Sequence, residues 1–344
     1  MKHYNFGSIE QFRNVCKQIK LEAEYVGKDE NGKAIYDSSR PKPTLTFLGT
    51  VKLHGTNAAV VYDKEHGLYA QSRERILSIE SDNAGFAFYV ETNRKYFEEN
   101  LSWFTKYDGV ETAIIFGEWA GGNIQKRVGI CNKEKSFYPF LLKYIRDDGK
   151  EEHYIPVTER TEDTSGIWIL SPENGVFPIT HFQTFQLEID FNNPELVQNE
   201  LLRITEEVER ECPVAKAFGF SGIGEGVVWT ADWNGKQYRF KVKGEKHSSS
   251  KVKTLASVDT DKIENCQKFA EYAVTESRFE QALQNVFLDG ELDVKQIGPL
   301  LKWMNTDILK EEIDTLVDNG LEFREVVKYI ADRTKKMFFS RLGM

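Results

Sequence analysis

Cysteine is scarce in this 344-residue chain: Cys16, Cys131, Cys212 and Cys266 are the four, and no two form a CxxC pair. That scatter argues against a disulfide framework and against a zinc ribbon. Histidine is thin as well, six in all and none in an HExxH arrangement. Any metal is therefore expected to be a loosely held Mg²⁺ on carboxylates and phosphates, not a caged transition metal. No apolar run approaches the ~20 residues that cross a bilayer. The opening Met1-Lys2-His3-Tyr4-Asn5-Phe6-Gly7 leads into a polar amphipathic stretch and lacks the apolar centre of a signal peptide. The expectation is a soluble cytoplasmic protein with no membrane partner. A basic excess is missing too, since 45 Lys and Arg stand against 54 Asp and Glu for a net charge of −9. A non-specific polyanion coat is disfavoured, but a local basic groove is not, because the field at a site depends on nearby charges.

What is present describes a globular protein: 40% of residues are hydrophobic and 29% charged. The length suggests about two domains. Residues 1–43 combine a short amphipathic helix over 8–21 with a polar hairpin turning at Asn31-Gly32. From Thr44 to Lys243 strand patterns dominate, at 45–51, 58–62, 68–71, 112–118, 137–144, 167–170, 226–230 and 238–243. Helical periodicity interrupts them at 84–99 and at 194–211, the second announced by Asn193-Pro194. Residues 244–251 read as a flexible joint, and from Asp259 onward apolar residues recur at helix spacing, as in Ile308/Ile313/Leu316 and Phe323/Val326/Val327/Ile330. The expected fold class is α+β. A body of antiparallel sheets flanked by helices spans 1–250 (with 1–43 as an N-terminal extension), and a small all-α domain spans 251–344.

Three constellations carry chemistry. Lys52-Leu53-His54-Gly55-Thr56-Asn57 lies between two strand patterns, where a lysine becomes nucleophilic if its ammonium is destabilised. Alone, this KxxG turn is matched as well by an exposed lysine beside a hairpin glycine. Phe116-Gly117-Glu118-Trp119-Ala120-Gly121 ends the strongest apolar strand. A glutamate there must be hydrated, paired or liganded, to a ribose hydroxyl or a metal. Glu225 to Lys243 forms a hairpin closed by Asn234-Gly235, with Lys241 and Lys243 on one strand face and Phe240 and Val242 on the other. Two like charges so placed describe either a solvent-facing basic strand or a site for an anion between them, such as a nucleotide phosphate, with Glu225 able to bind a metal nearby. Arg73 can clamp a phosphate or pair with Glu74, and Phe140 can stack on a base or simply build core.

Taken in order, Lys52 to Asn57, Arg73, Phe116-Gly117-Glu118, Phe140, Glu225-Gly226 and Lys241-Val242-Lys243 resemble the six nucleotidyltransferase motifs of covalent ligases and capping enzymes. The arrangement is most similar to the RNA ligase 2 family, which includes a phage enzyme and the kinetoplastid RNA-editing ligases. KxHGTN is that family's form of its first motif, and Gly121-Gly122-Asn123-Ile124-Gln125-Lys126 looks like its GxIQK extension. Ile297-Gly298-Pro299 and Asp307 to Glu312 resemble the phage enzyme's helical tail.

The resemblance implies an ATP-grasp-like ligase fold and an ATP-dependent RNA ligase. Lys52 would attack the α-phosphate of ATP and become lysyl-AMP. Leu53, Asn57, Arg73, Glu118 and Phe140 would hold the nucleotide, with Glu118 on ribose and Phe140 on adenine. Glu225 would assist Mg²⁺ or Mn²⁺, and Lys241 and Lys243 would hold the α-phosphate. His54 and Asn57 would act after lysine adenylylation. Gln125, Lys126, Lys246 and Lys251 are expected to face nucleic acid. The implied substrate is RNA with 3′-OH and 5′-phosphate ends, in nicked duplex RNA or an RNA–DNA hybrid, sealed by a monomer. A DNA ligase or a capping-type guanylyltransferase from the same superfamily is the alternative; a non-catalytic end-binding module is the reading from a different class. The chain departs from the family at Val51, where the phage enzyme is acidic, and in the longer lead-in of 43 residues.

Overall fold

The computed structural model describes residues 1–37, 39–106, 109–155, 169–244, 246–247, 259–288 and 292–342, leaving out the side chains of 195 and 259–264. Two compact units emerge, Met1–Lys246 and His247–Met344.

The first unit begins with β1 (Glu10–Gln11), α1 (Phe12–Glu24), β2 (Tyr25–Lys28), β3 (Ala34–Tyr36), β4 (Thr44–Lys52), β5 (Thr56–Asp63) and β6 (Gly67–Ser72). It continues with α2 (Phe86–Thr92), α3 (Arg94–Phe104), β7 (Val110–Ala120), β8 (Ser136–Arg146), β9 (Glu151–Tyr154) and β10 (Thr184–Asp190). It closes with α4 (Gln198–Arg210), α5 (Pro213–Ala217), β11 (Gly226–Trp233) and β12 (Lys236–Lys243). These strands form a first sheet in the order β1-β12-β11-β4-β10, a second in the order β6-β5-β7-β8-β9, and the small β2-β3 hairpin. All pairings are antiparallel except the short β1–β12 contact.

Alternation along the strands decides what each face carries. In the first sheet Phe47 and Val51 of β4, Val227 and Trp229 of β11 and Phe240 of β12 enter one core with α1 and α4. Each such side chain contributes roughly 1.5–3 kcal/mol on full burial. Thr50 and Lys52, Val228 and Thr230, and Arg239, Lys241 and Lys243 alternate with them and belong to the opposite, polar face. In the second sheet Ala58 and Val60 of β5 and Ile115 of β7 pack under α2 and α3. Ala59, Val61, Ile114 and Phe116 occupy the other face with Tyr69 and Leu141. Glu118 and Asn57, paired across β5 and β7, fall on that same face.

Local differences from the sequence reading have identifiable causes. The first helix starts at Phe12, not at residue 8, because Glu10 and Gln11 are held extended against Phe240 and Lys241. The helix expected over 84–99 is two helices. Asn93 leaves the helical region (φ −104°, ψ 21°), and its side-chain amide donates to the Tyr89 carbonyl at 2.9 Å. A 3₁₀ turn, Pro194–Val197, precedes α4. Residues 169–170 are not strand, and 167–168 lie outside the described residues. Besides β1, two strands were not expected: β10, whose Phe185, Leu187 and Ile189 alternate against β4, and β9. The latter is a polar edge fixed by the ion pairs Lys143–Glu151 and Arg146–Glu152, both 2.6 Å.

The second unit contains α6 (Asp259–Ala273), α7 (Glu276–Val286), α8 (Ile297–Asp318) and α9 (Phe323–Arg341). Phe269, Leu300, Met304, Ile308, Val326, Ile330 and Phe338 share its core. Ile313 does not join Ile308 there but is exposed, since five residues of helix turn it well away from the 300/304/308 stripe. Partly buried Arg278 ties α7 to α8 through Asp307 Oδ2 at 2.9 Å and Glu312 Oε1 at 2.8 Å.

Candidate active site

The polar face of the first sheet acquires its geometry from strand register. Gly226 of β11 pairs with Lys52 on one side and with Lys243 on the other, so the two lysines flank one backbone position. Gly226 adopts φ +150°, and a Cβ there would meet the Val242 carbonyl oxygen at 2.2 Å. Only glycine allows this approach. Glu225 immediately precedes it and is 3% exposed. Its Oε2 lies 2.6 Å from Lys52 Nζ and 3.4 Å from His54 Nδ1, and its Oε1 lies 3.2 Å from Lys243 Nζ. Burial alone would raise this carboxyl, but Lys52, Lys243 and His54 overcome it and hold Glu225 well below the ordinary carboxylate range.

Glu118 faces the same cluster from the second sheet and behaves oppositely. Removal from water, reinforced by the Glu225 charge, pushes it up to about 7 against the opposing pull of Lys52 and the Gly55 N–H. Two carboxyls are thus driven apart, one ionised at neutral pH and one poised near it. The turn between β4 and β5 is clamped between the sheets. The Gly55 N–H donates to Glu118 Oε1 at 2.9 Å, and its carbonyl accepts from Gln125 Nε2 at 3.3 Å. A Cβ on Gly55 would stand 2.4 Å from the Trp119 carbonyl oxygen and 2.8 Å from Ala120 Cβ. The glycine is there because β7 passes directly beneath the turn.

Phe140 owes its position to a bulge. Pairing jumps from Phe116↔Leu141 to Gly117↔Pro139, which leaves Phe140 as the extra residue of β8, half-buried beside Phe116. Pro139, which cannot donate to the ladder, sits where the register breaks.

Lys52, His54, Glu118, Glu225 and Lys243 are thus gathered into one cluster, with Asn57 opposite Glu118 and Lys241 half-buried two residues before Lys243 on the same strand face. Other sequence candidates fall differently. Leu53 is a core side chain at 5% exposure, so only its backbone can reach a nucleotide. Arg73 follows β6 with Nε 3.8 Å from Glu74 Oε1, a loose surface pair. Gln125 is 5% exposed and holds the Gly55 turn, so it is not a surface contact for nucleic acid. Lys126 and Lys246 are exposed, and the Lys246 backbone N–H donates to Glu209 Oε1 at 2.6 Å. Lys251 lies outside the described residues.

Two contributors escaped the sequence reading. Arg75 organises the loop after β6, donating to the Ser81 carbonyl and hydroxyl (2.6 and 2.8 Å) and to the Asp82 carbonyl (3.0 Å). Nothing local in the sequence marks it over Arg73. Arg239 shares the strand face of Lys241 and Lys243, a relation that alternation alone could have exposed.

The described residues contain no group of three or more His, Cys, Asp or Glu that could hold a metal. Glu118 and Glu225 are the carboxyls in the cluster, a donor set suited to a hydrated Mg²⁺ or Mn²⁺ carried mainly by phosphates.

A family model described as RNA ligase matches residues 45–243, the span that holds every member of this cluster. Among curated proteins none matches the chain. Solved structures similar to it include a Naegleria gruberi RNA ligase mutant with AMP and Mn (18% identity, TM-score 0.43, 70% of this chain and 56% of that one). The Naegleria gruberi RNA ligase with PPi is another (17% identity, TM-score 0.43, 71% and 57%). A further mutant of that ligase with ATP and Mn gives 18% identity, TM-score 0.44, 71% and 57%. The chain therefore spans little more than half the length of these structures.

Proposed function

The chain belongs to the RNA ligase family, and on that premise we propose that it joins RNA ends through a covalent adenylate on Lys52. The observation that carries the reading is the Lys52–Glu225–Lys243 cluster, with Glu225 Oε2 at 2.6 Å from the lysine nitrogen. In the first step Lys52 Nζ attacks the α-phosphorus of ATP, a P–N bond forms, and the P–O bond to the β-phosphate breaks as pyrophosphate leaves. The proton on Nζ has the ionised Glu225 carboxylate as its immediate acceptor. Lys243 and Lys241 meet the charge that builds on the phosphates, which is most of what phosphoryl transfer asks of a protein.

Glu118 and Phe140 are assigned to the ribose hydroxyls and the adenine ring, Asn57 and the Leu53 backbone to the nucleotide, and Arg73 to its phosphate side. A bound Mg²⁺ or Mn²⁺, which Glu225 would help hold, would supply charge neutralisation at the phosphates. AMP then passes from Lys52 to the 5′-phosphate of the substrate, and a 3′-OH displaces it to seal the strand. His54, 3.4 Å from Glu225, acts in these later steps. The substrate assigned is a nick in duplex RNA or an RNA–DNA hybrid with ribonucleotides at the 3′-OH side, handled by a monomer whose helical second unit helps hold the duplex.

Intact-protein mass spectrometry of wild type and Lys52→Ala, after incubation with ATP or GTP and Mg²⁺, tests the reading. One AMP on wild type and none on the variant is the expected result. An AMP-free wild type that takes up neither nucleotide overturns it; uptake of GMP alone would make it a guanylyltransferase. Nicked duplexes differing only in RNA or DNA at the 3′-OH then decide the substrate.

A further inference from the structure

The first seven residues fall outside the matched span and outside every motif, yet they are fastened to the site. Buried Gln71 acts as a substitute strand for Tyr4: its Nε2 donates to the Tyr4 carbonyl at 2.6 Å, and its Oε1 accepts from the Tyr4 N–H at 3.0 Å. The Tyr69 hydroxyl donates to the Lys2 carbonyl at 2.8 Å. These ties lay Tyr4 and Phe6 on the face of the second sheet that carries Glu118. There the Phe6 ring lies 4.9 Å from Phe140 and 5.5 Å from Phe116. From the first sheet, the Arg239 guanidinium sits 4.7 Å over the same ring, on the strand face that also bears Lys241 and Lys243. Phe6 is thus a point where both walls of the cluster meet, and it touches the one ring assigned to adenine.

We propose that Phe6 is a positioning residue of the nucleotide site, setting the ring of Phe140 from behind and bracing it against Arg239 on the lysine-bearing strand. The proposal rests on the ligase reading above. Its physical content is preorganisation: Phe140 sits on a bulge, with no cross-strand partner to fix it, and the tilted contact with Phe6 holds its ring in one orientation. These three hydrogen bonds and the ring contacts make displacement of the segment by ATP unfavourable, so Phe6 supports the site and does not block it.

The test uses the full chain as wild type, Phe6→Ala, Phe6→Leu and Phe6→Tyr, with initial rates of lysyl-AMP formation measured over a range of ATP. Phe6→Ala is expected to raise KM for ATP about five- to tenfold with kcat held within about twofold. Phe6→Tyr should restore wild-type KM, and Phe6→Leu, which keeps apolar bulk without a ring, should not. Melting temperatures monitored alongside separate positioning from loss of fold. Unchanged KM in Phe6→Ala, a lowered KM, full rescue by leucine, or a fall in kcat alone each overturns the proposal. If wild type binds ATP by calorimetry but forms no adduct, the ligase reading fails by itself. The same four chains then report on Phe6 through their ATP affinities, with the same expected order.

Discussion

Lys52 and Glu225 are 173 residues apart in the sequence and 2.6 Å apart in the structure. The contact is made by strand register: β4 ends at Lys52, β11 begins at Gly226, and the two positions pair directly. The lysine helps hold Glu225 ionised, which gives the lysine proton a defined destination.

Replacing Glu225 by Gln removes the countercharge from Lys52 and Lys243 together. Because both lysines are partly exposed, the stability loss is expected to be about 1–3 kcal/mol, below that of a fully buried pair. Lysyl-AMP formation should fall about 10²-fold or more. Chemical denaturation and adduct kinetics check the two effects separately; a variant with wild-type adduct rates would remove Glu225 from the mechanism.

The two glutamates predict opposite responses to pH. Glu118 is raised to about 7 from 4.5, so the native state keeps a proton that the unfolded chain has lost. Stability from this group is present below about 4.5 and falls as pH rises through 7. Glu225 is lowered, so its contribution is present above the unfolded value and is lost as pH falls below it. Glu118→Gln should therefore gain in melting temperature relative to wild type between pH 5 and pH 8. Parallel melting curves across that range would contradict the assignment.

Gly55→Ala places a methyl group against the backbone of β7, 2.4 Å from the Trp119 carbonyl oxygen. The turn bearing Lys52 and His54 has to shift, and a displacement of about 1 Å costs roughly 10²-fold in a positioned reaction. Adduct formation should drop by about that factor while the circular dichroism spectrum stays folded. Full activity would mean the turn is looser than its clamps suggest.

Nucleic-acid binding should be steeply salt-dependent despite the net charge of −9, since the cations that meet phosphate are local. Each phosphate contact contributes a slope of about −0.9 in log K against log salt for a duplex. Filter binding of a nicked duplex between low and moderate salt measures it, and a flat response would exclude a phosphate-tracking groove.

Much of the site was legible because its motifs are local: KxHGTN is a strand end and turn, and Lys241 and Lys243 share a face by simple alternation. β10 is equally readable from the alternation of Phe185, Leu187 and Ile189, which ends at the turn signal Asn192-Asn193-Pro194. β9 was not readable, since a polar edge strand held by ion pairs has no hydrophobic period. The burial of Gln125 was not readable for a similar reason: its neighbour Lys126 is exposed, and the glutamine's partner, the Gly55 carbonyl, is 70 residues away in the chain.

Strand faces, the helical second unit and the local motifs that bear the candidate site residues follow from the sequence alone, because these depend on periodicity and chemistry within a few residues. Tertiary structure alone decided that Glu225 pairs with Lys52, that Glu118 is driven toward neutrality beside it, and that Phe6 reaches Phe140. Those relations depend on register between distant strands and on how far each group is withdrawn from water, and neither quantity is written in any local stretch of the chain.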